Sequence, residues 1–372
     1  MMVLLFWAMM LVAFAVATRI GRQFGLVPIV SQLLLATFGL PLLAALIAPE
    51  WLKTLYGFAF ALVLGNILSD VIELKMDRES LKIALPSFCI PFVCGLACAA
   101  WVLPEQHWLN ALAIGLVFAI TAIPVLYLYL KHIGYPLAAT RRLVQTAILI
   151  DLACWTVFGL AQGSLHLSSL LLPLAGALLP LLFYACRIRR PLTYSLSFFG
   201  LLVVAEHYKL NALIFGIGYL SCMAWLKVAL VPPLKTAWMN RLQTGLAIPL
   251  ILTFGIVQIN VNSALSSLSL VQFVALLVIP VASKLLGNWL GLGWAGRSFP
   301  GASRWKESLL LNIRGLSEIV FLNLLLQQQL ISPALYFALM LMGLLATLLP
   351  ALAGLHRIPL NSAETSKEPV CQ

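Results

Sequence analysis

The chain has 372 residues, 62% of them hydrophobic and 9% charged, with a mean hydropathy of +1.02. A soluble domain carries about 25% charged residues, so this composition excludes a soluble globular protein. The formal charge of +11 comes from 23 Lys and Arg against 12 Asp and Glu; in a soluble chain it would suggest nucleic-acid or anionic partners, but in an apolar chain its meaning depends on where the charges sit.

Thirteen apolar segments follow in chain order, near 2–18, 27–47, 55–74, 83–103, 107–130, 143–162, 167–186, 192–206, 209–229, 243–260, 268–290, 307–327 and 332–355. At about 20 residues per span they use about 260 positions and leave only short loops, so no separate soluble domain is expected. Most runs exceed the length of a core strand, and none alternates as barrel strands do. The expected class is an all-α polytopic membrane protein with about thirteen transmembrane helices, forming a single membrane domain over 1–360. A polar, disordered tail is expected over 361–372.

The basic residues test this count. Nineteen of the 23 lie in loops that follow odd-numbered segments, among them Arg19, Arg22, Arg141, Arg142, Arg304 and Lys306. Only Lys53 and Lys209 follow even-numbered ones, and Lys284 and Arg314 lie inside segments. The positive-inside rule then places the N-terminus outside and the C-terminus in the cytoplasm; the membrane expected is a bacterial inner (plasma) membrane. Segment 1 ends in AFAVAT, which looks like a cleavage site, but it lacks a basic start and is followed directly by Arg19 and Arg22. It reads as a retained helix.

The seven cysteines form no CxxC pair, and no histidine lies in HExxH, so the cysteines read as small apolar filler. Gly291, Gly293 and Gly296 spell GxGxxG without a preceding strand, which makes it a chance match. No P-loop, catalytic triad or cofactor motif occurs. The chain is therefore expected to be no enzyme, to carry no cofactor and to bind no nucleic acid.

A charge at mid-bilayer costs at least a few kcal/mol, so each buried ionisable residue is a functional candidate. Asp151 lies nine residues after Arg142, about 13 Å into segment 6, with no other charge in ILIDLACW. A carboxyl in such surroundings does best holding a proton or a cation, although a neutral structural carboxyl is also possible there. Lys284 in VASKLLGNWLG stands some six residues before the end of segment 11. It either snorkels to the interface or forms a buried ammonium that balances a carboxylate or steadies the core helices. Arg314 and Glu318 are four apart in segment 12, so they share a helix face and can pair. Gly315 between them suggests an interrupted helix whose freed backbone groups line a pathway. In FAITAIPVLYLYL, Pro124 removes a backbone donor one turn after Thr121; a simple proline kink is the alternative. Segments 5 and 12 are seven apart and cross in opposite directions. Segments over 1–162 and 192–355 would then be inverted repeats, with 167–186 as the linker. Asp70 and Glu73 read as interfacial.

The runs ITAIPVLYLYLKHIG and ATRRLVQTAILIDLACW resemble the fifth and sixth helices of the cation–proton antiporter superfamily. The branch they look most like holds plant cation/proton exchangers and bacterial potassium efflux antiporters. NIRGLSEIVFLN and LISPALYFALMLMGLLATLLPAL look like its last two helices, VASKLLGNWLG like its lysine-bearing eleventh, and IGRQFGLVPIVSQLLLATFGLP like its opening hairpin. The resemblance implies a thirteen-helix inverted-repeat fold, usually a homodimer, in which two broken helices cross beside an ion-binding aspartate. By motif position Asp151 matches that aspartate, with Thr121 beside it, and Lys284 matches the basic residue of helix 11. Pro124 and Gly315 match the breaks, and Arg314 and Glu318 match charges of the second crossing helix. The family commonly has Asp-Asp or Asn-Asp at the site, whereas Ile150 precedes the aspartate here. No large cytoplasmic regulatory domain of the kind many relatives carry is expected.

The function implied is secondary active exchange of a monovalent cation, K⁺ or Na⁺, for protons, with that transported cation as the only metal. The alternatives are export of an organic solute by the same fold, or a degenerate non-transporting membrane component.

Overall fold

The computed structural model describes residues 2–23, 77–102, 108–163, 175–188, 190–207, 212–228, 241–257, 268–297 and 302–355, with a few isolated positions besides. The expectations for segments 27–47 and 55–74, for Asp70 and Glu73, and for the tail over 361–372 lie wholly or almost wholly outside these residues.

Every described element is helical. Lipid offers the backbone no hydrogen-bond partner, and a helix satisfies its own N–H and C=O groups. In chain order the helices are α1 Met2–Gln23, α2 Arg78–Val102, α3 Trp108–Ala119, α4 Ile123–His132, α5 Leu137–Gly163, α6 Leu179–Ala185, α7 Pro191–His207 and α8 Ala212–Trp225. A π-turn, Gln243–Ala247, leads into α9 Ile248–Val257; α10 Leu270–Ala295, α11 Arg304–Leu311, α12 Leu316–Gln327 and α13 Pro333–Leu352 follow. Four of them, α2, α5, α10 and α13, are long and apolar enough to cross a membrane. The chain is an integral, multi-pass membrane protein.

Segment 5 divides into α3 and α4 around 120–122, and segment 12 into α11 and α12 around 312–315. Pro124 does not sit in the first break. It occupies the second position of α4, where its missing N–H would have had no intrahelical partner in any case. A helix running unbroken through it would have lost a hydrogen bond and met a steric clash, so the chain stops helping itself to helix at Ala119 and restarts at Ile123. Gly315 is the N-cap of α12.

Around these breaks α2 and α10 form a tightly apposed pair. A Cβ on Gly291 would lie 2.6 Å from the carbonyl oxygen of Ile83, and one on Gly287 2.7 Å from that of Pro86, so backbone meets backbone without a side-chain layer between. Gly296 ends α10 at φ +85°, and its N–H donates to Leu292 O at 3.1 Å. The GxGxxG match is therefore helix packing followed by a helix stop. Because α10 continues to Ala295, beyond the expected limit near 290, Lys284 stands eleven residues from its end. This corrects the interfacial reading: Lys284 is fully buried in mid-helix and does not snorkel.

Candidate functional site

The geometry of the first break follows from counting hydrogen-bond partners. In a continuous helix the N–H groups of residues 121, 122 and 123 would serve the carbonyls of Val117, Phe118 and Ala119. Here Thr121 N–H donates instead to Asp151 Oδ1 at 2.8 Å, and Ala122 N–H to Ile313 O, in the second break, at 3.2 Å. The stranded carbonyls are taken by cations. Arg314 donates from Nη1 to Val117 O and from Nη2 to Phe118 O, both at 2.6 Å, and Lys284 Nζ donates to Ala119 O. Two positive side chains thus meet the negative end of the α3 dipole.

Lys284 makes one further bond, to Ser87 O at 3.2 Å. That carbonyl is free because its helical partner would be the N–H of residue 91, and residue 91 is a proline inside α2. Lys284 therefore binds two main-chain oxygens, one exposed by a proline and one by a helix break. Of the readings open for it, steadying the core helices is the one the geometry matches, since it joins α2, α3 and α10. Among the described residues it bonds to no carboxylate.

Arg314 and Glu318 do pair, Nη1 to Oε1 at 3.0 Å with both side chains about 1% exposed. Arg314 itself lies in the break rather than on a helix, and Glu318 is in the first turn of α12, where a carboxylate suits the positive end of the dipole. The main chain of Arg314 is held by α13. Its N–H donates to Thr347 Oγ1 at 3.2 Å, and the Thr347 hydroxyl faces the carbonyls of Arg314 and Gly343 at 2.6 and 2.7 Å.

Asp151 is position 15 of the 27 in α5, close to its middle, and is fully buried. Its Oδ2, the Thr121 hydroxyl and the Ser317 hydroxyl are all buried, and none makes a well-formed hydrogen bond among the described residues. Ser317 is near enough to interact with the carboxylate, and Lys284 and Glu318 lie within electrostatic reach of it. Buried polar atoms normally have partners, so three such oxygens on neighbouring residues form an acceptor-rich cluster suited to a proton or a small dehydrated cation.

The structure thus brings Asp151, Thr121, Lys284, Arg314, Gly315 and Glu318 together around two touching breaks, with Pro124 one step outside. Sequence reading missed Ser317, Thr347 and the carbonyl seats. Of these only the Ser87 seat left a signal, a proline four positions after the acceptor.

A second ionic cluster lies where α5 begins. Buried Arg142 reaches Glu307 Oε2 at 3.4 Å, Glu79 Oε2 at 3.3 Å and Gly296 O at 3.1 Å, and Tyr135 donates to Glu307 Oε1 at 3.1 Å. Burial, and then the neighbouring Glu307 carboxylate, push the Tyr135 phenol up, so it stays a donor. This cluster joins α2, α5, α11 and the end of α10.

No protein-family profile and no curated protein matches the chain. Among solved structures it is similar to the sodium proton antiporter MjNhaP1 from Methanocaldococcus jannaschii, determined at pH 8, with a TM-score of 0.60 and 14% identity over 96% of this chain and 98% of that one. At that identity the likeness is one of fold, and it spans nearly the whole of both chains.

Proposed function

We propose that the chain belongs to the cation–proton antiporter superfamily and exchanges a monovalent cation, K⁺ or Na⁺, for protons. The observation that carries this reading is the divided carboxylate of Asp151: one oxygen is held by the Thr121 N–H, and the other stands unpartnered beside two hydroxyls. A proton on Oδ2 and a cation shared by Oδ2, Thr121 Oγ1 and Ser317 Oγ would occupy the same place, so they compete. Competition at one buried carboxylate is sufficient for exchange when the site faces the two sides alternately. Glu318 is already paired with Arg314, which favours electroneutral one-for-one exchange at Asp151.

The paired breaks in segments 5 and 12 support inverted repeats over 1–162 and 192–355 joined by 167–186, moving as a core against a dimerisation region in a homodimer. The loop charges support an external N-terminus and a cytoplasmic C-terminus; the membrane proposed is a bacterial inner membrane. The decisive variant is Asp151→Asn, which keeps the Thr121 bond but cannot ionise. In everted vesicles it should abolish the collapse of ΔpH on adding Na⁺ or K⁺, to below about 1% of wild-type exchange, of the order lost with an essential titrating group. Undiminished exchange would remove Asp151 from the mechanism, and uptake of labelled Na⁺ and K⁺ into proteoliposomes assigns the ion.

A further inference from the structure

The guanidinium of Arg314 neutralises the end of α3 at Val117 and Phe118, three residues before the Thr121 that holds Asp151, yet Arg314 sits in a break, where no helix holds it. Its N–H and C=O would be stranded in the protein interior, which is costly. Both go to one hydroxyl, that of Thr347 on α13. One turn earlier on the same face is Gly343, whose carbonyl shares that hydroxyl. Gly343 also makes room for the other half of the pair: a Cβ there would overlap Glu318 Oε2 and stand 3.0 Å from its Cδ. Thr347 thus holds the main chain of Arg314, and the bare surface at Gly343 lets Glu318 reach its side chain.

We infer that Gly343 and Thr347 are positioning residues for the exchange site, forming on α13 a seat that fixes Arg314, and through it the buried Arg314–Glu318 pair. Neither touches Asp151 or the three unpartnered oxygens. The inference rests on the antiporter reading for its effect on transport, though not for its geometry. It also explains why a residue without helical support keeps three hydrogen bonds from one guanidinium.

The test compares Thr347→Val, which keeps shape and loses the hydroxyl, with Thr347→Ser, which keeps it. Thr347→Val should slow exchange about tenfold or more, the scale of losing two buried hydrogen bonds, and displace the pH–rate profile by about half a unit or more, because a loosened Arg314 no longer fixes the Glu318 carboxylate that lies within electrostatic reach of Asp151. Thr347→Ser should restore both. A helix that only fills space would scale the rate without moving the profile, and an unmoved profile overturns the inference. Gly343→Ala supplies a second measurement, decisive alone if Thr347→Val does not accumulate in the membrane. It should slow exchange in the wild-type background and have no further effect when Glu318 is already Ala; equal slowing in both backgrounds overturns the inference. If the wild-type protein exchanges neither Na⁺ nor K⁺, the antiporter reading fails by itself. The seat is then decided by amide hydrogen exchange over 312–316 in the purified protein, where Thr347→Val must speed exchange and Thr347→Ser must not.

Discussion

The two helix breaks touch through one backbone hydrogen bond, Ala122 to Ile313, and yet they are satisfied by opposite means. At 120–122 the freed groups go to ionisable side chains: a carboxylate takes an N–H, and an ammonium and a guanidinium take three carbonyls. At 312–315 the chain closes on itself, with Asn312 N–H on Leu309 O and Ile313 N–H on Leu310 O at 3.2 and 3.1 Å, and a neutral hydroxyl from α13 does the rest. A pair of breaks in similar surroundings need not share a chemistry. The first concentrates charge, and the second delivers one of the charged arms.

That contrast predicts unequal costs. Arg314→Met strips two carbonyls of the first break and leaves Glu318 buried without a partner, so it should destabilise the protein by about 3–5 kcal/mol, the cost of breaking a buried pair. Thermal unfolding in detergent reads this, and Arg314→Met with Glu318→Gln should recover part of the loss. A single variant melting like the wild type would mean the first break does not depend on charge. Lys284→Met leaves only Ser87 O and Ala119 O unserved, and about 1–3 kcal/mol should be lost by the same measurement. At the second break the expectation reverses. Both polar side-chain atoms of Asn312 are buried without partners among the described residues, so Asn312→Leu should be neutral within about 1 kcal/mol or slightly stabilising. A large loss there would show that the second break relies on polar contacts as much as the first.

Much of this arrangement is legible before any coordinates. Charges are so costly in an apolar segment that Asp151, Lys284, Arg314 and Glu318 single themselves out, and Gly315 and Pro124 mark the two breaks to within a few residues. What stays hidden depends on main-chain atoms. A carbonyl has no letter in the sequence, so the partners of Lys284 cannot be read from its neighbours. Pro124 points a step too far along because proline fits the start of a new helix, not the gap before it. Lys284 looks closer to an interface than it is, since GLGW keeps its helical form by packing against the α2 backbone. Thr347 and Gly343 resemble ordinary residues of an apolar helix, and only the break facing them gives them a task.

Pro91 carries a wider consequence. The seats that bind Lys284 and Arg314 are carbonyls of residues 87, 117, 118 and 119, and no side-chain replacement at those positions deletes them. A saturation mutagenesis screen would therefore register the donors and pass over the acceptors as tolerant. Only at Pro91 does the genetic code have direct access to a seat, because any other residue there returns an N–H to Ser87 O and sets it in competition with the lysine. A screen that scored tolerance alone would draw the site as a scatter of isolated charges, with half of each contact missing from the map.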